Sequence, residues 1–232
     1  MRRRASSSES RSDVIEGARG PKAVIFDLDE VLIDARRAWQ YSVEESIAMV
    51  CDRRISAEPL VSEYRARPWA HVMAILVEAP QERQRCIELS RTIFARSGMK
   101  RLLVHEGIGM GLDMLRNAGI EMGAISRQRH AMAIKQIEST GLDRFLAVLA
   151  ATPDGEPWSA CTRFEQCLRF LERTPGECAF VSADIRDLGE LARHGVHCFE
   201  AGWADDQPTE QPVIPEPGLI FRAITGRTKP SA

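Results

Sequence analysis

No stretch of the chain approaches the roughly 20 consecutive apolar residues that a membrane-spanning helix requires, so none is expected. A strong excess of charge is missing too. The formal net charge is −2, which leaves no global field to recruit nucleic acid or an anionic membrane surface. The 6 cysteines, Cys51, Cys86, Cys161, Cys167, Cys178 and Cys198, form no Cys-x-x-Cys pair and have no histidine at zinc spacing. Reduced thiols acting as small hydrophobes are expected instead. The histidines His71, His105, His130, His194 and His197 are scattered, and a packing or surface role fits each better than a metal. Met1 to Gly20 is rich in Arg and Ser, has no apolar core and carries Glu9, Asp13 and Glu16, unlike a signal or transit peptide. It reads as a disordered tail, 1–20, on a cytoplasmic protein. What remains is ordinary globular composition, 44% hydrophobic and 28% charged over 232 residues. That is enough for one sizeable domain, or for a core with a smaller insertion.

One stretch organises the rest: Lys22-Ala-Val-Ile-Phe-Asp-Leu-Asp-Glu-Val-Leu-Ile-Asp34. The apolar run Ala23 to Phe26 shows no alternation, as a strand covered on both faces requires. It delivers Asp27 and Asp29 where the run stops. In open α/β sheets the carboxyl ends of the strands form the ligand crevice, so both acids belong at the working edge. Where the backbone turns after the strand, one carboxylate can face a substrate as nucleophile while the other handles a proton. Acids that merely end a strand and solvate a loop are also common.

From Arg36 to about Lys100 the periodicity is helical. Trp39, Val43, Ile47 and Val50 recur at helical spacing over Arg36 to Cys51, Trp69 to Val77 is a second apolar stretch, and Gln81 to Arg96 a third, punctuated by Pro59, Pro68 and Pro80. Afterwards strands and helices alternate. Helices are expected over Gly107 to Asn117, His130 to Ser139, Thr162 to Glu172 and Asp187 to His194. Strands are expected over Glu121 to Ser126, Phe145 to Ala151, Cys178 to Ala183 and Val196 to Glu200. This order implies an α/β fold with a doubly wound parallel sheet. Asp205 to Gly218 reads as a loop, Leu219 to Ile224 as a short apolar segment packing back on the core, and 227–232 as a tail.

Phe-Asp-Leu-Asp-x-Val-Leu-Ile-Asp resembles the first motif of the haloacid dehalogenase-like superfamily, with Glu30 where a Gly is usual. The resemblance, to the members with a helical cap and a phosphoglycolate-phosphatase-like core, implies a core of 21–35 and 101–226 and a small helical cap at 36–100 inserted after the first strand. It implies Asp27 as the nucleophile that becomes phosphorylated and Asp29 as general acid and base. Ser126 matches the small hydroxyl residue that binds the phosphoryl group, with Arg127 and Arg129 following as further cationic donors. The implied cofactor is Mg²⁺, its implied protein ligands Asp27, Asp29, Asp184 and Asp187.

Two motifs depart from the family pattern. Where a Lys, often Lys-Pro, is expected, the chain has Glu156-Pro157, or Trp158 if aligned on Phe164, and no Lys occurs between Lys135 and Lys229. Arg163 or Arg127 is the available cation, although a guanidinium fork is not equivalent to a point charge. Where Gly-Asp-x-x-x-Asp is expected, the chain has Ser182, Ala183 and Asp187, with Asp184 one residue late. Two functional readings therefore stand side by side. One is a Mg²⁺-dependent hydrolase that removes phosphate from a small metabolite through an aspartyl-phosphate intermediate. The other is a catalytically impaired relative that binds a ligand or a protein partner through the same cleft. A doubly wound protein with a chance Asp-x-Asp is a third. None of them calls for nucleic acid or a membrane.

Overall fold

The computed structural model describes residues 20–63, 69–204 and 210–228. Most of the tail expected at 1–20, and parts of the segments around Pro68, Asp205 and Lys229, lie outside the described residues. The apolar run after Lys22 forms β1 (Ala23–Asp27), buried at every position. It has no polar face because parallel strands flank it on both sides, β4 (Glu121–Arg129) and β6 (Cys178–Ser182). With β5 (Val148–Thr152), β7 (His197–Ala201) and β8 (Val213–Ile214) they make, among the described residues, a six-stranded parallel sheet in the order β5-β4-β1-β6-β7-β8.

Side chains of β1 alternate between two apolar layers, as the pleat dictates. Val24 and Phe26 pack with α4 (Ile108–Asn117), α5 (His130–Thr140) and α8 (Ile220–Thr225). Ala23 and Ile25 face the other way, against α6 (Ala160–Leu171) and α7 (Ile185–Arg193). Helices on both faces make the sheet doubly wound, as the element order predicts. Gly123 in β4 lies opposite Val148 of β5, and a Cβ there would stand 2.7 Å from Val148 Cγ1. Because Val148 is stiff at χ1, Gly123→Ala is expected to cost about 1–3 kcal/mol in urea unfolding.

After β1 the chain makes one wide turn over Leu28–Leu32, closed by the Ile33 N–H donating to the Leu28 carbonyl. It then enters β2 (Ile33–Asp34), which pairs antiparallel with β3 (Leu103–Val104). This small ribbon ties together the two ends of the intervening segment. That segment holds α1 (Arg36–Cys51), α2 (Trp69–Leu76) and α3 (Pro80–Arg96) around its own apolar cluster of Trp39, Val43, Ile47, Val72, Met73 and Cys86. Among the described residues no helix is long and apolar enough to cross a membrane.

Candidate active site

The carboxyl ends of β1, β4 and β6, with the turn after β1, bring together most of the residues singled out in the sequence. Asp27 is the last residue of β1 and 1% exposed. Its Oδ1 accepts from the Asp29 N–H at 3.1 Å and its Oδ2 from the Ser182 hydroxyl at 3.4 Å. Burial, and then the neighbouring Asp29 and Glu30, hold its carboxyl well above the usual carboxylate range. The turn itself is fixed from outside: His105 Nε2 donates to the Glu30 carbonyl at 3.1 Å, and the Trp203 indole to the Val31 carbonyl at 3.1 Å. Glu30 therefore fits the turn where the family pattern has Gly.

Asp29 is oriented by β4. Its Oδ2 accepts from the Ser126 hydroxyl and from the Arg127 N–H, both at 2.8 Å. The hydroxyl that the motif assigns to a phosphoryl group thus binds Asp29 here. The Arg127 side chain crosses to the second acid pair, where Nη2 lies 2.7 Å from Asp184 Oδ2 and 2.6 Å from Asp187 Oδ2. Its guanidinium stacks 4.6 Å from the Trp158 ring centroid, and the Trp158 indole donates to Asp187 Oδ2 at 3.3 Å. Of the two alignments of the missing Lys, the one on Trp158 therefore puts a side chain beside these acids.

Glu156 lies elsewhere. It is paired with Arg163 at 2.7 Å, and Arg163, only 3% exposed, also donates to the Ala151 carbonyl and to Gln166. Arg163 is thus a buried clamp between α6 and β5, its charge already balanced. Arg129 likewise points away, to the Pro153 carbonyl and Asp154. Asp184 is the N-cap of α7, its Oδ1 accepting from the Arg186 and Asp187 N–H groups. Such caps satisfy helix ends that would otherwise lack partners, and this one fixes Asp184 outside the sheet. Burial would raise Asp184, but Arg186 and Arg127 hold it below the usual value; burial raises Asp187 despite Arg127.

These contacts decide how well the implied Mg²⁺ fits. Magnesium wants near-octahedral oxygen ligands at about 2.0–2.1 Å. Here Asp184 Oδ2 and Asp187 Oδ2 are taken by Arg127, Asp29 Oδ2 by Ser126 and Arg127, and position 183 is an alanine. Among the described residues no group of three or more His, Cys, Asp or Glu side chains is arranged to hold a metal ion. The residues as arranged do not fit a divalent ion. Sequence reasoning named Arg127 as an available cation and Trp158 as one alignment of the Lys place, but not Asp184 and Asp187 as the partners of Arg127, which lie 57 and 60 residues away in the chain.

The family model for haloacid dehalogenase-like hydrolases matches residues 21–195. The tyrosine-protein kinase PtkA of Mycobacterium tuberculosis is 24% identical over 187 residues, which are 79% of this chain but 62% of that protein. The chain thus spans less than two thirds of the curated relatives it matches. A HAD-superfamily hydrolase of subfamily IA from Geobacter sulfurreducens superimposes with a TM-score of 0.74 at 18% identity, covering 88% of this chain and 97% of the other. CbbY from Rhodobacter sphaeroides, solved with phosphate, gives 0.65 at 14% identity, covering 88% and 99%. At these identities the two structures speak for the fold.

Proposed function

The chain belongs to the haloacid dehalogenase-like hydrolase family, and from that premise we propose that it transfers the phosphoryl group of a small phosphorylated metabolite, at low rate, through Asp27. The observation that carries this reading is the convergence of Asp27 and Asp29 at the end of β1, with Asp29 oriented by Ser126 and the Arg127 N–H. In this reading the ionised Asp27 attacks phosphorus and Asp29 gives a proton to the leaving oxygen. Asp29 then takes a proton from the water that hydrolyses the acyl phosphate. The helical segment 36–100 acts as a lid, tied to the core by the β2–β3 ribbon, that excludes water and selects the substrate. The low rate follows from electrostatics, since phosphoryl transfer rests on neutralising charge. Four carboxyl groups, Asp27, Asp29, Asp184 and Asp187, gather at this sheet end, the Arg127 guanidinium pairs with the last two, and Trp158 stands beside it instead of the usual Lys.

A second reading is a catalytically impaired module that binds a ligand or protein through the same cleft. Arg127 and Trp158, which fill the acid side of the site, favour it. The mycobacterial relative's name describes transfer of a phosphoryl group to protein tyrosine, which also leans toward a protein partner. Phosphate release from a panel of small phosphomonoesters, with protein shown to be folded, separates the two. Turnover of at least one ester is expected, and silence across the panel would overturn the first reading.

A further inference from the structure

We propose that Arg127 is the resident cation of this site, taking the place of the divalent ion that the motif resemblance implies, so that the site works without Mg²⁺. The first motif's resemblance implies Mg²⁺, and three observations depart from that implication. First, one guanidinium nitrogen bridges both acids of the α7 turn, at 2.7 Å and 2.6 Å. A guanidinium is permanently charged and more weakly hydrated than an ammonium, so it suits such a bridge. Second, the side chain is held in that place. Its own N–H anchors the backbone on Asp29, the Trp158 ring lies under the guanidinium, and the Trp158 indole binds the same Asp187 carboxylate. Third, the position that would supply the missing carboxylate is Ala183, buried and without a donor.

These features support one another in sequence terms as well. The indole at position 158 stacks on the guanidinium and donates a neutral hydrogen bond to Asp187, so it holds Arg127 in its bridge. An aspartate at position 183 would add negative charge that a single guanidinium could not balance. The losses in the two departing motifs are therefore the changes expected once Arg127 has taken the cation's place.

The inference concerns what binds the acids and does not need the phosphoryl-transfer reading to hold. It is tested by titrating the full chain with Mn²⁺, followed by calorimetry and by the electron paramagnetic resonance signal of the free ion. The wild type is expected to show no saturable site up to about 10 mM, beyond the roughly 10⁻⁴–10⁻³ M range of weak protein cation sites. Arg127→Gln, which keeps a polar stem and drops the charge, is expected to bind Mn²⁺ at least about tenfold more tightly than wild type, or 1.4 kcal/mol. Arg127→Lys keeps a cation and is expected to stay as weak as wild type. A saturable wild-type site in the micromolar range, or equal affinity in wild type and Arg127→Gln, would overturn the proposal. If Arg127→Gln does not fold, the wild-type titration alone still decides. Turnover that survives a chelator supports the inference, and turnover that requires Mg²⁺ sinks it while leaving phosphoryl transfer intact.

Discussion

Asp27→Asn is expected to abolish ester turnover and, at neutral pH, to make the protein more resistant to heat. Loss of turnover follows from the role proposed for the carboxylate: an amide cannot form the acyl phosphate, and removing a nucleophile typically costs several orders of magnitude, on the order of 10³-fold or more. The gain in stability follows from burial. Asp27 is 1% exposed, and burial, Asp29 and Glu30 raise its carboxyl above the ordinary 3.8. With the folded value above the unfolded one, the folded chain binds more protons between them, so stability falls as pH rises through that range. Asparagine carries no such penalty. The melting temperatures of the two proteins should converge near pH 4 and separate toward pH 8, with Asp27→Asn higher by at least about 2 °C, the size of 1 kcal/mol in a chain of this length. An Asp27→Asn protein that melts lower than wild type at pH 8 would mean that the carboxylate is stabilised in the fold, despite its burial beside Asp29 and Glu30.

The contrast between a loss of activity and a gain of stability is the mark of a group kept for chemistry rather than packing. It also bears on how the site could be read in advance. The Ala23 to Phe26 run and the acids behind it are local, and the strand formed where hydropathy predicts it. The helix Arg36–Cys51 has the bounds its periodicity predicts, because its buried face is a regular stripe of Trp39, Val43 and Ile47. Boundaries moved where apolar character and strand pairing part company. Phe145 and Leu146 extend the apolar run before β5, but Phe145 packs with α4 and α5 under the Arg116 and Arg144 guanidinium groups, so pairing starts at Val148. At its carboxyl end β4 runs on past Ser126 to Arg129 through a break in register, carried by polar residues that hydropathy does not mark. The β8 pair Val213–Ile214 is only two residues long and flanked by Pro212 and Pro215, inside a stretch whose composition signals a loop. At the site, the identity of each acid was legible, but its partner was not. Arg127 meets Asp184 and Asp187 across 57 and 60 residues of chain, and only the fold brings them together.

Trp158→Lys is expected to raise phosphomonoester hydrolysis by about 10- to 100-fold, because it returns positive charge to a site that lacks it. The guanidinium of Arg127 is already bonded to Asp184 and Asp187, Asp27 and Asp29 add two more carboxyl groups at the same sheet end, and a dianionic ester adds two negative charges as it enters. One electrostatic stabiliser is typically worth roughly 10²- to 10³-fold in rate, and a lysine placed outside its evolved surroundings should recover part of that. The position suits it. The Trp158 indole is half-buried, reaches Asp187 at 3.3 Å and lies against Arg127, so a flexible ammonium there can approach the same acids and free Arg127 to meet the substrate. Trp158→Met separates charge from shape, since it opens the same space without a cation and should give no gain. Trp158→Arg should gain less than Trp158→Lys, because a bulky planar fork is not equivalent to a compact point charge. The comparison is made on kcat/KM, which reports stabilisation of the transition state relative to free enzyme and ester. If Trp158→Lys is no faster than Trp158→Met, the shortage of charge is not what limits this site. The second reading, a cleft that binds without reacting, would then describe the protein better.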